Sequence, residues 1–195
     1  MKLLKVSLFL TALIIAACSG TDSYVPKPRA YPRINLPETG YRVFDSAGIP
    51  YQFEIPLYAA MEKDTMNIYT RQPYWYNLNF KPFNATLHLT YYRFSNRIQF
   101  DSLVDDSRKL VNKHIQRAED IIEEPLRPSE KVKGIMFEIE GNTATNLNFY
   151  LTDSMRHFLR GALYFNNQAA SDSTAPVFER MKLDIHHLIR TLRWK

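Results

Sequence analysis

The chain has 195 residues, with 25 Lys and Arg against 20 Asp and Glu for a formal net charge of +5, 12 Tyr, 12 Phe, 2 Trp, 6 Gly and one cysteine. That charge is too mild to argue for nucleic acid, and one cysteine excludes an internal disulfide. An aromatic-rich, glycine-poor chain of this size can bury about 70% of its unfolded surface in one domain without metal or disulfide support, and no internal repeat is visible.

Taken in chain order, Lys2 and Lys5 flank a start that runs into the apolar stretch Val6 to Ile15 and then small residues, the layout of a secretory signal peptide over residues 1–17. The stretch is well short of the roughly 20 residues that a membrane-spanning helix requires. At its end, Ile15-Ala16-Ala17-Cys18 resembles the lipobox of bacterial lipoproteins, which implies cleavage before Cys18 and acylation of its thiol. The alternative is a free thiol in a signal tail. Cleavage leaves 23 basic against 20 acidic residues, a net charge near +3. Asp22 is the one acid between Cys18 and Tyr24, so no acidic surface-export signal is present and the domain is expected to face the periplasm. Which membrane holds the lipid stays open.

Residues 18–40 form the lipidated N-terminus and a basic strap. Val25 to Pro37 holds four prolines, a spacing that favours extended polyproline II backbone because each ring fixes φ and biases its predecessor away from helix. The strap is either a spacer or a docking element through Lys27, Arg29 and Arg33, with anionic headgroups or a protein as the partner.

A single domain is expected over residues 41–195. Tyr51 to Ile55 alternates like an edge strand between Pro50 and Pro56. Tyr74, Trp75, Tyr76, Phe80 and Phe83 sit between prolines and read as an ordered loop that caps the core or presents a sticky surface. Leu87, Leu89 and Tyr91 alternate with polar partners as a strand. Ser102 with Asp105 reads as a capping box that opens a long helix, whose apolar positions recur at 3 and 4 spacings through Ile121 and Ile122 up to Pro125. Ile135, Phe137 and Ile139, a turn at Gly141-Asn142, and Leu147, Phe149 and Leu151 predict a hairpin. A third strand runs from about Arg156 to Phe165, and a last amphipathic helix carries Val177, Phe178, Met181, Ile185, Leu188, Ile189 and Leu192. The order strand, helix, three strands, helix implies an α+β domain, an antiparallel sheet covered by two long helices. That succession resembles the Mog1/PsbP-type α/β/α sandwich.

Several segments together resemble the gliding motility lipoprotein GldD family of the Bacteroidota. They are Tyr24 to Pro37, Leu87 to Tyr91, Asp106 to Leu110, Lys113-His114, Gly134-Ile135, Ile139 to Asn142, Leu151 to Ser154, His157 to Phe165 and Asp184 to Lys195. The chain departs from the family pattern at Ala30, where Gly is usual, and at Met155-Arg156, where Thr-Lys is usual. The resemblance implies a non-enzymatic cell-envelope accessory of gliding motility and the linked type IX secretion machinery, working through protein partners, with palmitate-type acylation as the membrane anchor and no cofactor.

The residues offer little chemistry of their own. The histidines His88, His114, His157, His186 and His187 form no HExxH, no CxxC accompanies them, and no phosphate loop or nucleophile elbow is present. Asp153, Ser154 and His157 cluster locally and either belong to a pocket of a periplasmic enzyme or small-ligand binder, or serve as strand-end turn chemistry. On the strand that follows, Arg156, Phe158, Arg160 and Tyr164 fall opposite Leu159, Leu163 and Phe165. The arginines either pair with carboxylates such as Glu138 or Glu140, or form with His157 and Tyr164 an outward patch for an acidic partner.

Overall fold

The computed structural model describes residues 34–65, 74–141, 143–166 and 171–195. Side-chain alternation governs most of this length, giving β1 (Tyr41–Phe44), β2 (Tyr51–Pro56), β3 (Ala60–Lys63), β4 (Tyr76–Phe80) and β5 (Ala85–Arg93) before the first long helix, α1 (Arg97–Asn112). Then come β6 (Ala118–Ser129), β7 (Val132–Gly141), β8 (Thr145–Thr152), β9 (His157–Phe165), the helix α2 (Ser171–Thr191) and β10 (Arg193–Trp194). Seven strands build an antiparallel sheet in the order β3-β4-β5-β9-β8-β7-β6, and three build a small one in the order β1-β2-β10.

The period of two sends each strand's residues to opposite faces. On one face Leu87, Leu89, Met136, Leu147, Phe149, Leu151, Leu159 and Leu163 join the main core. The stripe Met181, Ile185, Leu188 and Leu192 of α2 closes over them, beside Tyr51, Phe53 and Ile55 of β2. Each such fully buried side chain contributes about 1.5–3 kcal/mol. On the other face a smaller cluster of Phe94, Val111, Phe137, Ile139, Tyr150 and Phe158 packs under Phe100, Leu103 and Val104 of α1. Strand pairing is tight at Gly134, where a Cβ would lie 1.9 Å from the Tyr150 carbonyl oxygen, so no side chain fits there.

This architecture corrects the expectation of an α+β sheet covered by two long helices. Strands dominate, one face is shared between α2 and the small sheet, and α1 packs on the smaller cluster alone. The error lies in the stretch after Asn112. Helix α1 starts five residues before Ser102, capped by the Asn96 side chain, which accepts from the Gln99 backbone N–H at 2.9 Å, while the Gln99 side chain accepts from the Ser95 N–H. It ends at Asn112 in a series of tight turns, and Ile121, Ile122 and Pro125 belong to β6 instead. Spacings of 3 and 4 persist there by coincidence. The prolines at 125 and 128 fit a strand because β6 is an edge of the sheet, where a missing N–H costs no ladder bond.

The hairpin holds as β7 and β8, with Ile135 opposite Tyr150 and Phe137 opposite Asn148; Asn142 of its turn lies outside the described residues. The third strand holds as β9. The aromatic run is not a loop throughout, since Tyr76–Phe80 is strand β4, paired with both β3 and β5. Its role as core is clear: Phe80 is fully buried, Trp75 is buried with its indole N–H donating to the Tyr91 carbonyl, and Tyr74, Tyr76 and Phe83 pack against the main core.

Candidate functional site

Asp153, Ser154 and His157 sit where β8 turns into β9, and the geometry separates them. Asp153 Oδ1 accepts three backbone N–H bonds, from Met155, Arg156 and His157, at 2.8 to 2.9 Å. Burial pushes its carboxyl up, but those three donors outweigh it and hold the pKa below the usual carboxylate value. Ser154 is in the left-handed region at φ 63° and its N–H donates to Thr152 Oγ1. The His157 ring lies on the main-core side, stacked on Trp194 at 5.1 Å with Nδ1 2.7 Å from the Tyr91 hydroxyl. Burial pushes the Tyr91 phenol up to about 12, so it keeps its proton. The Asp153 side chain is spent on the turn and that of His157 on a core edge, and neither is bonded to the other or to the Ser154 hydroxyl.

The candidate patch of Arg156, His157, Arg160 and Tyr164 is likewise divided. Arg156 lies in the turn ahead of β9, exposed, with its carbonyl accepting from the Phe94 N–H. Arg160 and Tyr164 point to the α1 side of the sheet, and His157 to the opposite side. The expected pairing of Arg160 with Glu138 or Glu140 does not form: Glu138 faces the other way and binds Lys182 of α2 at 2.5 Å. The Arg160 guanidinium instead lies 5.7 Å over the Tyr92 ring, with one N–H 3.5 Å from that hydroxyl.

What Arg160 and Tyr164 do share is a cavity of about 230 Å³ between the last turn of α1 and strands β7, β8 and β9. Its walls include Val111, Lys113 and His114 from the helix side. The expected helix, with its apolar spacing carried past His114 to Ile122, missed that the chain turns away after Asn112 and leaves this space open.

A second group was also missed. Asp184 is buried in the apolar stripe of α2, where it accepts from the Tyr41 hydroxyl at 2.7 Å, from the Tyr58 hydroxyl and from Arg180 Nε at 3.1 Å. One turn on, His187 Nε2 lies 2.5 Å from Glu54 Oε2 and its ring stacks on Tyr41 at 3.6 Å. These contacts fasten the small sheet to α2. A carboxylate three residues from Met181 and four from Leu188, inside an apolar stripe, was the available signal that a buried partner existed.

Three imidazoles are held below the ordinary value of 6.5 chiefly by burial: His88, His114 with Lys113 beside it, and His157, where burial, joined by Arg93 and Arg156, outweighs Asp153. Protons therefore bind the unfolded chain more readily, and this contribution to stability is complete above pH 6.5 and lost as pH falls from there toward the folded values. Thermal melts should drop in midpoint between pH 7.5 and 5.5. A variant with all three replaced by Gln should show a flatter profile, and an equal slope would rule the imidazoles out as its source. Asp153 acts only at lower pH, since a depressed carboxylate loses its contribution below 3.8.

Cys18, Lys27, Arg29 and Arg33 lie outside the described residues. Among the described residues no group of three or more His, Cys, Asp and Glu could hold a metal ion.

Compared with known proteins, residues 21–194 match the family model described as gliding motility lipoprotein GldD. No curated protein matches. Among solved structures the chain is similar to the solution structure of cyanobacterial PsbP (CyanoP) from Synechocystis sp. PCC 6803, at 7% identity, with 88% of this chain and 100% of that one covered and a TM-score of 0.47.

Proposed function

The chain belongs to the gliding motility lipoprotein GldD family, and from that premise we propose that it is a lipid-anchored, periplasm-facing accessory of gliding motility and the linked type IX secretion machinery that works by binding envelope proteins, without catalysis. The lipoprotein family makes it a membrane-anchored component of the cell envelope. The observation that carries the non-enzymatic reading is the fate of the one cluster that resembled catalytic chemistry. Asp153 is saturated by three backbone donors, and His157 faces Tyr91 and Trp194. Neither residue lines the cavity.

Complementation of a deletion strain tests the proposal. The wild-type chain should restore colony spreading and cargo secretion. Asp153→Asn should restore them too, since the amide oxygen still accepts the turn's N–H groups. Failure of a folded Asp153→Asn chain to complement would overturn the non-enzymatic reading. In-cell cross-linking should retain envelope proteins on the full chain, and a chain cross-linking to none would overturn the partner-binding one.

The strap has its own expected result. As a spacer, Lys27, Arg29 and Arg33 act through backbone stiffness, so replacing all three with Gln should leave cross-linked partners and spreading unchanged. Loss of partners with an unchanged thermal melt would instead make the strap a binding element.

A further inference from the structure

Half-buried cations in this domain have a carboxylate almost everywhere. Arg108 holds Glu123 at 2.6 Å, Arg180 holds Asp184 at 3.1 Å and Lys182 holds Glu138 at 2.5 Å. Arg160 departs from this rule. It is half-buried, and among the described residues it has no carboxylate within ion-pair distance, only the Tyr92 ring and a long contact to its hydroxyl. A guanidinium carries five N–H donors in a planar fork suited to a carboxylate, so most of its bonding capacity is unused.

Arg160 borders the 230 Å³ cavity. Leu110, Val111, Phe137 and Ala162 supply apolar wall, Lys113 adds a second cation, and none of the lining residues is Asp or Glu. His114, kept mostly neutral by burial and by Lys113, adds a polar edge without a full charge. A mainly apolar pocket with a few convergent polar groups is the usual form of a small-molecule site. For scale, an apolar cavity of about 150 Å³ accepts benzene. The space here therefore suits one ring or a short hydrocarbon chain together with a charged head.

We propose that the cavity between the C-terminal turn of α1 and strands β7–β9 is a binding site for a small organic carboxylate, its apolar body against Val111, Phe137 and Ala162 and its head on Arg160 and Lys113. Two full cations with no acid in the lining, beside an apolar wall and the polar Ser107, His114, Asn148 and Tyr164, match an anionic head on an apolar body. The site is separate from Asp153 and His157 and does not depend on the motility reading.

The test uses the full chain reconstituted in phosphatidylcholine nanodiscs and titrated calorimetrically with 4-phenylbutyrate, with empty nanodiscs subtracted. The expected result is saturable one-to-one binding, with slowed amide exchange confined to residues 107–114 and 160–164. 4-Phenylbutan-1-ol, the same body without charge, should bind at least about tenfold more weakly, as loss of a charge-assisted hydrogen bond implies. Arg160→Gln should weaken phenylbutyrate by about tenfold or more and leave the alcohol unchanged. Lys113→Gln, at the exposed end of α1, should weaken phenylbutyrate in the same sense and serves if Arg160→Gln melts early. Absence of saturable binding, equal affinity for acid and alcohol, exchange protection elsewhere, or unaltered affinity in folded variants would each overturn the proposal.

Discussion

Replacing Cys18 with Ala is expected to abolish palmitate incorporation completely and to leave a precursor that keeps residues 1–17. The reason is chemical, because Cys18 is the single thiol of the chain and no second acceptor exists. Acyl anchoring contributes about 0.8 kcal/mol per buried methylene, and a three-chain anchor is effectively permanent whereas no chain leaves almost nothing. The effect should therefore be all-or-none in membrane fractionation, with the melting temperature of the domain unchanged, since the described residues from 34 onward include no cysteine. Metabolic labelling measures the outcome directly. Undiminished label in the variant would remove the lipid anchor from this account.

The largest effect on folding is expected from Asp184→Ala. The wild-type carboxylate is 1% exposed and accepts from two phenols and a guanidinium. Burial, together with the bond to Asp184, pushes the Tyr41 hydroxyl up to about 12 and raises Tyr58 in the same direction, so both phenols stay protonated and act as donors at neutral pH. Removing the acceptor strands all three donors at once. Arg180 suffers most, because its Nη2 is already buried without a partner among the described residues. Breaking a buried pair from one side costs about 3–5 kcal/mol. At about 2–4 °C per kcal/mol for a domain of this size, the melting temperature should fall by roughly 6–20 °C. The double variant Arg180→Met with Asp184→Leu should lose less than the single one, since it removes the charge along with its partner. A single variant melting within a degree or two of wild type would show that the network contributes little. The loss should centre on the small sheet, because Tyr41 belongs to β1, Tyr58 follows β2, and Glu54 of β2 binds His187 and Thr191 one to two turns along α2.

The lipidation expected at Cys18 rests on a short linear pattern that needs no fold. The face assignments of β5 and β9 were legible for a related reason: alternation is local to a strand, and Leu159 and Leu163 fall on one face and Phe158 on the other, although β7, β8 and β9 bury apolar residues on both faces. The segment from His114 to Pro125 was not legible in this way. A run of isoleucines and alanine satisfies helical spacing and edge-strand pairing equally well, and the choice was made by β7, which offers Ile139 opposite Ile121 and Ile135 opposite Pro125.

The polar groups followed the same division. Asp153 as turn chemistry is a local property, since its three donors lie within four residues. The partners of Arg160 and Asp184 are not local. Glu138 and Glu140 were reasonable partners for Arg160 by strand alternation, yet the sheet directs Glu138 toward α2 and Arg160 toward α1. Tyr41 and Asp184 meet across 143 residues of chain. Local periodicity thus specified the strand faces and the last helix. Which side of the sheet each charge faces, where α1 stops, and the cavity that its end leaves open came from the pairing of distant strands, because hydrogen-bond registers between residues far apart in sequence leave no imprint on local spacing.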